Sequence, residues 1–553
     1  MKSTEKFLLI VVVFIFVCIF PSTASVPVPQ FTGTPRSGTA PLIVTFTDQS
    51  LGNPAGWAWY FGDENFTEPW TLVNASAGWS TRNGITSVVM PDGSIVLMGG
   101  LDGSYYNDVW RSGDNGTTWM QMNASAGWSG RLWHTSVVMP DGSIILMGGM
   151  GNGGSLNNDT WRSMDKGAIW TQMNESSGWS ARYGTSSIAM PDSSIVLIGG
   201  SIGFGSNKKD VWRSTDNGTT WDEVNASVGW SARYQHSIVT LPDGSIVLMG
   251  GSSDSGYKND VWRSTDNGTT WEEVNASAGW LGREGHRCVA MPDGSIVLTG
   301  GYSGSRENDV WRSTDNGATW KEANVSAGWS GRAGHGIVTI PDGSIVLMGG
   351  CDNTECARND VWRMNPVGSS AQNPTHVYTT PGTYQVTLQV YNAIGFNSTR
   401  KTGYITVTNV SKIGVFRNST HLFYLDQNGN GVWNGVLVDR ANNFGISGDI
   451  PISGDWNTDR KTEIGVFRPS THLFYLDYNG NGVWNGAAVD RQYNFGLTGD
   501  MPVSGDWNTD GKYEIGVFRN STHLFYLDYN GNGAWNGASV DKQYNFGITG
   551  DIP

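Results

Sequence analysis

Hydrophobic and polar positions recur about every 50 residues from Trp70 to Asn365, the mark of stacked repeat units. Each unit carries a Gly-Gly pair, beginning at Gly99, Gly148, Gly199, Gly250, Gly300 and Gly349. In the fourth unit, four segments are separated by turn residues: 236–241, 245–251, 259–263 and 269–275. The first two flank Pro242, Asp243 and Gly244, a tight turn that predicts a hairpin. In the second segment Ile246 and Leu248 face one way and Val247 and Met249 the other, so both faces are apolar. An isolated sandwich would leave one face polar, whereas the stacked blades of a propeller cover both.

Tryptophan positions predict how the ring closes. Each unit uses three, as Trp79, Trp110 and Trp119 do in the first. The third kind occurs in five units only, and the missing one is Trp70, upstream of the first full unit. The sixth unit stops after Trp362 without a fourth strand. Residues 70–74 are therefore expected to complete the last blade, latch the ring and leave no open edge.

Composition agrees with this picture. Seventy-five Gly, 26 Trp and only 15% charged residues suit many short strands rather than long helices. The chain of 553 residues is too long for one core. Its net charge of -14 comes without an acidic block and disfavours a nucleic-acid partner, which needs clustered Lys and Arg. Lys2 and Lys6, the apolar run 7–20, then Pro21 and small residues to Ser25 predict a secretory signal at 1–25. That run is shorter than the roughly 20 residues a span needs, so no membrane span is expected after signal removal; a retained anchor is the alternative. Cys351 and Cys356 are placed to pair as a disulfide outside the cell, and Cys288 is left as a buried thiol.

The Gly-Gly pair followed by Asn-Asp-Val-Trp and a later Trp resembles kelch repeats. Ser214, Asp216, Gly218 and Trp221, recurring in five units, resemble the Asp-box of sialidase-type propellers. That resemblance implies a structural role, with Ser and Asp satisfying turn amides and Trp filling the gap between blades. Residues 26–68 and 366–408 together resemble one PKD domain, an immunoglobulin-like β-sandwich common on archaeal and bacterial surfaces. The carriers are the run Trp57, Ala58, Trp59, Tyr60, Phe61, Gly62, Asp63, then Pro374, Thr375, His376, Tyr378 and 381–384. Tyr60 stands where Asp is usual. Tyr384, Val386, Leu388 and Val390 alternate as a strand does. The predicted fold is all-β: a six-bladed propeller (69–365) inserted into that split sandwich, followed by a C-terminal β-repeat array (409–553).

The array repeats 51 residues apart, at Ile413, Ile464 and Ile515, and resembles FG-GAP or VCBS repeats. Two loops offer alternating oxygen donors: Asp455, Asn457, Asp459 and Glu463, then Asp506, Asn508, Asp510 and Glu514. Such sets suit Ca²⁺, a hard cation, with plain Asx turns as the alternative. Arg460 replaces the Gly expected in the first loop. The stretches at Asp426, Asp477 and Asp528 carry one carboxylate each and read as turns.

Two rows of side chains are candidates for a ligand in the channel: Arg82, Arg131, Arg182, Arg233, Arg283 and Arg332, with His134, His236, His286 and His335 three residues later. A basic ring would attract an anion; alternatively, each Arg pairs with the recurring Asp of its own unit. Catalytic groups must break the repeat, and the departures Trp133, Glu284, Arg306, Glu307 and Glu355 form no catalytic set. The expected function is an extracellular or cell-surface adhesion or scaffold protein binding glycan or protein through the loops after each Gly-Gly pair, such as 101–106 and 201–209. A sialidase-like glycoside hydrolase and a structural envelope component are the alternatives. Sequons such as Asn74, Asn123 and Asn225 add glycosylation.

Overall fold

The computed structural model describes residues 25–553 except 65, 204, 355–356, 409–413, 428–431, 460, 547 and 549–550. The expected signal segment thus lies outside the described residues, apart from Ser25. The chain divides into two units, 1–406 and 407–553. Among the described residues no helix is long and apolar enough to cross a membrane.

Six antiparallel sheets form the ring in the first unit, four of them four-stranded and those of blades 4 and 6 with an added two-residue strand, Arg233–Tyr234 and Arg332–Ala333. In blade 4 the order is Ser237–Thr240, Ile246–Ser253, Gly256–Ser264, Glu272–Asn275. The strand before each Pro-Asp turn is innermost: Thr86–Val89, Thr135–Val138, Ser186–Ala189, Ser237–Thr240, Arg287–Ala290 and Gly336–Thr339 neighbour one another in a closed cycle. As the apolar pattern requires, Ile246, Val247, Leu248 and Met249 are wholly buried, with blades packed on both faces. The ring closes through distant chain segments. Thr71–Asn74 runs antiparallel to Arg358–Met364, with Leu72 opposite Trp362, and Trp70 meets Trp329 edge-on at 6.0 Å.

Five of the blades clamp a neighbour through a turn. Ser214 Oγ accepts the Gly218 N–H at 2.9 Å, Asp216 accepts the Thr220 N–H at 2.8 Å, and Trp221 stacks edge-on against Trp179. Gly218 has φ +86°, and a Cβ there would sit 2.4 Å from Thr160 Cγ2 of the preceding blade. Only glycine lets the turn come so close.

Two sheets flank the ring in sequence. One joins Phe31–Thr34, Leu42–Asp48 and Thr375–Tyr378; the other joins Ser37–Thr39, Phe396–Thr408, Gly382–Tyr391 and Gly56–Tyr60. Each contains strands from both sides of the propeller segment. They pack face to face through aromatics, with Phe31 and Trp59 5.2 Å apart and Phe46 and Phe61 5.1 Å apart.

Along Gly382–Tyr391 burial does not alternate: Thr387 and Gln389 are buried together with Val386, Leu388 and Val390. The second face of that sheet lies on the Pro-Asp-Gly turns of blades 5 and 6. Gln385 donates to the Asp293 carbonyl at 3.0 Å, Gln389 to Pro341 at 2.7 Å, and Tyr60 Oη to Gly343 at 3.1 Å. Tyr60 is a docking residue, which is why a tyrosine serves there.

The second unit stacks three sheets side by side. The middle one comprises Ile450–Gly454, Glu463–Arg468, Leu473–Leu476 and Arg491–Asn494. Phe474 and Phe495 share a core with Ile515 and Val517 of the next sheet. Arg468 binds Asp449 with two bonds of 2.9 Å and Arg519 repeats this with Asp500, so the last two repeats are pinned alike.

Candidate functional site

The six arginines of the predicted channel set are committed to the blades. Arg182 grips Asp210 with both terminal nitrogens, at 2.6 and 2.8 Å. Its remaining N–H groups donate to the Ser180 carbonyl, the Ser180 hydroxyl and the Gly199 carbonyl. Trp212 Nε1 donates to the same carboxylate at 2.9 Å. Arg82–Asp108, Arg131–Asp159, Arg233–Asp260, Arg283–Asp309 and Arg332–Asp360 repeat the pair. Burial alone would raise the Asp210 carboxyl, but Arg182 outweighs it and holds the group below the usual range. All six arginines are 0 to 1% exposed, so they offer a channel ligand no donor. This corrects the expectation of a basic ring, because the Asp of each unit takes up the charge first.

The four histidines are buried too. Burial, reinforced by Arg131 and Arg287, holds His134 down to about 3, and burial with Arg233 and Arg287 does the same to His236. His286 and His335 are also held well below the ordinary value by burial and neighbouring cations. These imidazoles are neutral packing groups. They explain the Gly-Gly pairs: a Cβ on Gly99 would lie 2.7 Å from His134 Cε1, and one on Gly149 2.7 Å from His134 Cβ.

One mouth of the ring is closed to a narrow belt of backbone. Gly84, Trp133, Gly184, Gln235, Gly285 and Gly334 each donate their N–H to the carbonyl of the preceding member, Gly84 to Gly334 completing the cycle, at 2.7 to 3.0 Å. All six have positive φ, between 53° and 66°. Four are glycine; Trp133 and Gln235 adopt the left-handed conformation at a cost of about 1 kcal/mol each.

Around this mouth the departures from the repeat gather into one cluster across blades 3 to 6. Tyr183 meets Tyr234 edge-on at 5.7 Å, Tyr257 meets Tyr302 at 5.8 Å, and Arg306 lies 5.7 Å over Tyr302. Glu284 faces Tyr234 and Ser252, and burial raises its carboxyl against their hydroxyls. Glu307 is held by Ser303 and Ser305. Glu355 lies outside the described residues. Nothing in one sequence says that these side chains are neighbours; the ring order does.

In the second unit the carboxylates of Asp455, Asp459 and Glu463 lie within 4.8 Å of one another. Burial, Asp459 and Asp455 push Glu463 up to about 8, although it accepts the Trp456 N–H. Asn457 uses its Oδ1 on the Asp459 N–H, and the exposed Lys461 pairs with Asp459. The second loop is more self-bonded. Asn508 donates to Asp510 and Glu514, and Asp506 accepts the Asp510 and Gly511 N–H groups. Arg460 and Cys356 lie outside the described residues, so the Cys351–Cys356 pairing does too. Cys351 is buried with its Sγ 3.0 Å from Arg306 Nη2. Cys288 is a buried thiol, pushed up to about 12 by burial.

Residues 187–388 match the family described as the KLHDC2/KLHL20/DRC7 Kelch-repeats domain. Among solved structures, the one titled "Structure of YjhT" is similar at 16% identity, covering 55% of this chain and 99% of that chain, with a TM-score of 0.44. No curated protein matches.

Proposed function

We propose that this kelch-type propeller is the binding module of an extracellular or cell-surface protein and takes a glycan on the loop face of blades 3 to 6. The tyrosine row around Glu284 carries the reading. Tyr183, Tyr234, Tyr257 and Tyr302 offer apolar ring faces with polar tips, which suit the C–H faces and hydroxyls of sugars. The apolar run 7–20 supports export. The two-sheet unit, which we assign to the PKD type, and the FG-GAP or VCBS-like repeats support a surface setting.

A glycan array probed with the purified chain tests this. Binding to a subset of glycans should fall at least tenfold in Tyr257→Ala/Tyr302→Ala with the melting temperature unchanged. No glycan binding, with capture of a protein instead, overturns the glycan assignment. Hydrolysis of the bound glycan favours the glycoside hydrolase, with Glu284 as proton donor, and calcium-dependent ordered self-assembly favours the envelope component.

The second unit supports a Ca²⁺ site at 455–463. Three carboxylates this close repel one another, which adds to the burial that raises Glu463, and hard oxygen donors match the cation. Calcium should raise the melting temperature of this unit, and Glu463→Gln should abolish the rise. An equal rise in the variant assigns the loop to Asx turns alone.

A further inference from the structure

Arg287, on the inner strand of blade 5, has no carboxylate partner among the described residues. Arg287 occupies the inner-strand position held by Thr86, Thr135, Ser186, Ser237 and Gly336 in the other blades. At that position a neutral hydroxyl suffices to tie blades together: Thr86 bonds Ser136 at 2.6 Å, Thr135 bonds Ser187 at 2.7 Å, and Ser186 donates to the His236 carbonyl at 2.8 Å. Arg287 makes the same tie with Nε to the His335 carbonyl, at 3.2 Å, and a long Nη1 contact to the His286 carbonyl, at 3.4 Å. Its Nη2 has no acceptor among the described residues, and no carboxylate pairs with it.

The guanidinium reaches toward the axis. Its charge depresses His134, His236, His286 and His335, on blades 2, 4, 5 and 6. Its Cζ lies 5.9 Å from the ring of Trp133, which comes from blade 2, opposite. Trp133 is also one of the two non-glycine members of the left-handed belt, and its Cη2 would lie 2.7 Å from a Cβ on Gly334 of blade 6. A strained tryptophan thus crosses the mouth above an arginine that no carboxylate pairs with. Arg287 is half-buried as a residue, and burial lowers its guanidinium to about 10.

A guanidinium fork is built for bidentate oxyanions, and an enclosed cation without a counter-charge is costly. The four imidazoles around it are neutral, so they neither pair with it nor repel an anion. We propose that the bore of the propeller binds a small oxyanion group, carboxylate or phosphate, on the Arg287 guanidinium beneath Trp133. This site is separate from the tyrosine row of the outer face and stands whether or not that row takes a glycan.

Calorimetric melting of the full mature chain, in sodium phosphate or sodium acetate against chloride at equal ionic strength, tests it. The wild-type ring should show a saturable upward shift of a few degrees with at least one of the two anions, and the responding anion identifies the group. Arg287→Thr copies blades 1 and 2; it should lose the shift and melt higher than wild type in chloride, because the unpaired charge is gone. Arg287→Gln serves as the second variant if Arg287→Thr does not fold. No anion-specific shift in wild type, or an equal shift in a folded variant, overturns the proposal.

Discussion

Lowering the pH from 7.5 to 5.5 should destabilise the propeller through its buried imidazoles. Each histidine titrates near 6.5 when exposed, but in the folded ring His134 and His236 stay neutral to about 3, and His286 and His335 are held well below 6.5. Across this interval the unfolded chain takes up protons that the ring refuses, so stability falls with falling pH. The loss is about 1.4 kcal/mol per histidine and about 5 kcal/mol for four. Glu64 opposes it. It accepts the Phe61 and Gly62 N–H groups, yet burial raises its carboxyl from 4.5 to about 7. The folded state therefore gains the Glu64 proton first, which returns about 2 kcal/mol. Glu284, also raised, acts in the same sense. The histidines win by about 3 kcal/mol. Asp210 stays outside this window, since its depressed carboxyl loses its stabilisation only below about pH 4. Urea unfolding followed by tryptophan fluorescence at the two pH values measures the loss. His236→Thr copies Thr185, whose hydroxyl donates to the Ile198 carbonyl at 2.9 Å. It should fold and shed about 1.4 kcal/mol of the pH sensitivity. Equal sensitivity in the variant, or none in wild type, would refute the argument.

Asp210→Asn leaves Arg182 buried without its counter-charge and should cost about 3–5 kcal/mol in urea unfolding; a loss under 1 kcal/mol would contradict a buried pair. Gly218→Ala meets both a positive φ and Thr160 Cγ2 at 2.4 Å, whereas Gly244→Ala at φ +83° meets nothing within 4 Å. The first should cost about 2–4 kcal/mol and the second about 1 kcal/mol, and equal melting temperatures would remove the blade-clamping role of the turn. Deleting 69–74 exposes the edge of Arg358–Met364 and should cause concentration-dependent association in sedimentation velocity. A stable monomer would show that the latch is dispensable.

The blades were legible because repetition samples one environment six times. Apolar residues on both faces of 246–249 admit only a covered strand, and the tryptophan missing from the sixth unit pointed to Trp70. The arginines are legible in the sequence as a row, and so is the Asp that recurs in each unit. Which partner a guanidinium takes, ligand or Asp, is settled only when both strands lie side by side. Burial of Thr387 and Gln389 was not legible either, since the docking face of the ring is made of turns more than 40 residues away in sequence.

By itself the sequence determined the strand periodicity, the number of blades and the residue that latches them, because these follow from local pattern and counting. Tertiary structure alone decided which exceptions to the pattern meet. Trp133 and Arg287 are 154 positions apart in sequence and 5.9 Å apart in space. A closed ring brings opposite blades to one axis, and no linear spacing encodes that convergence.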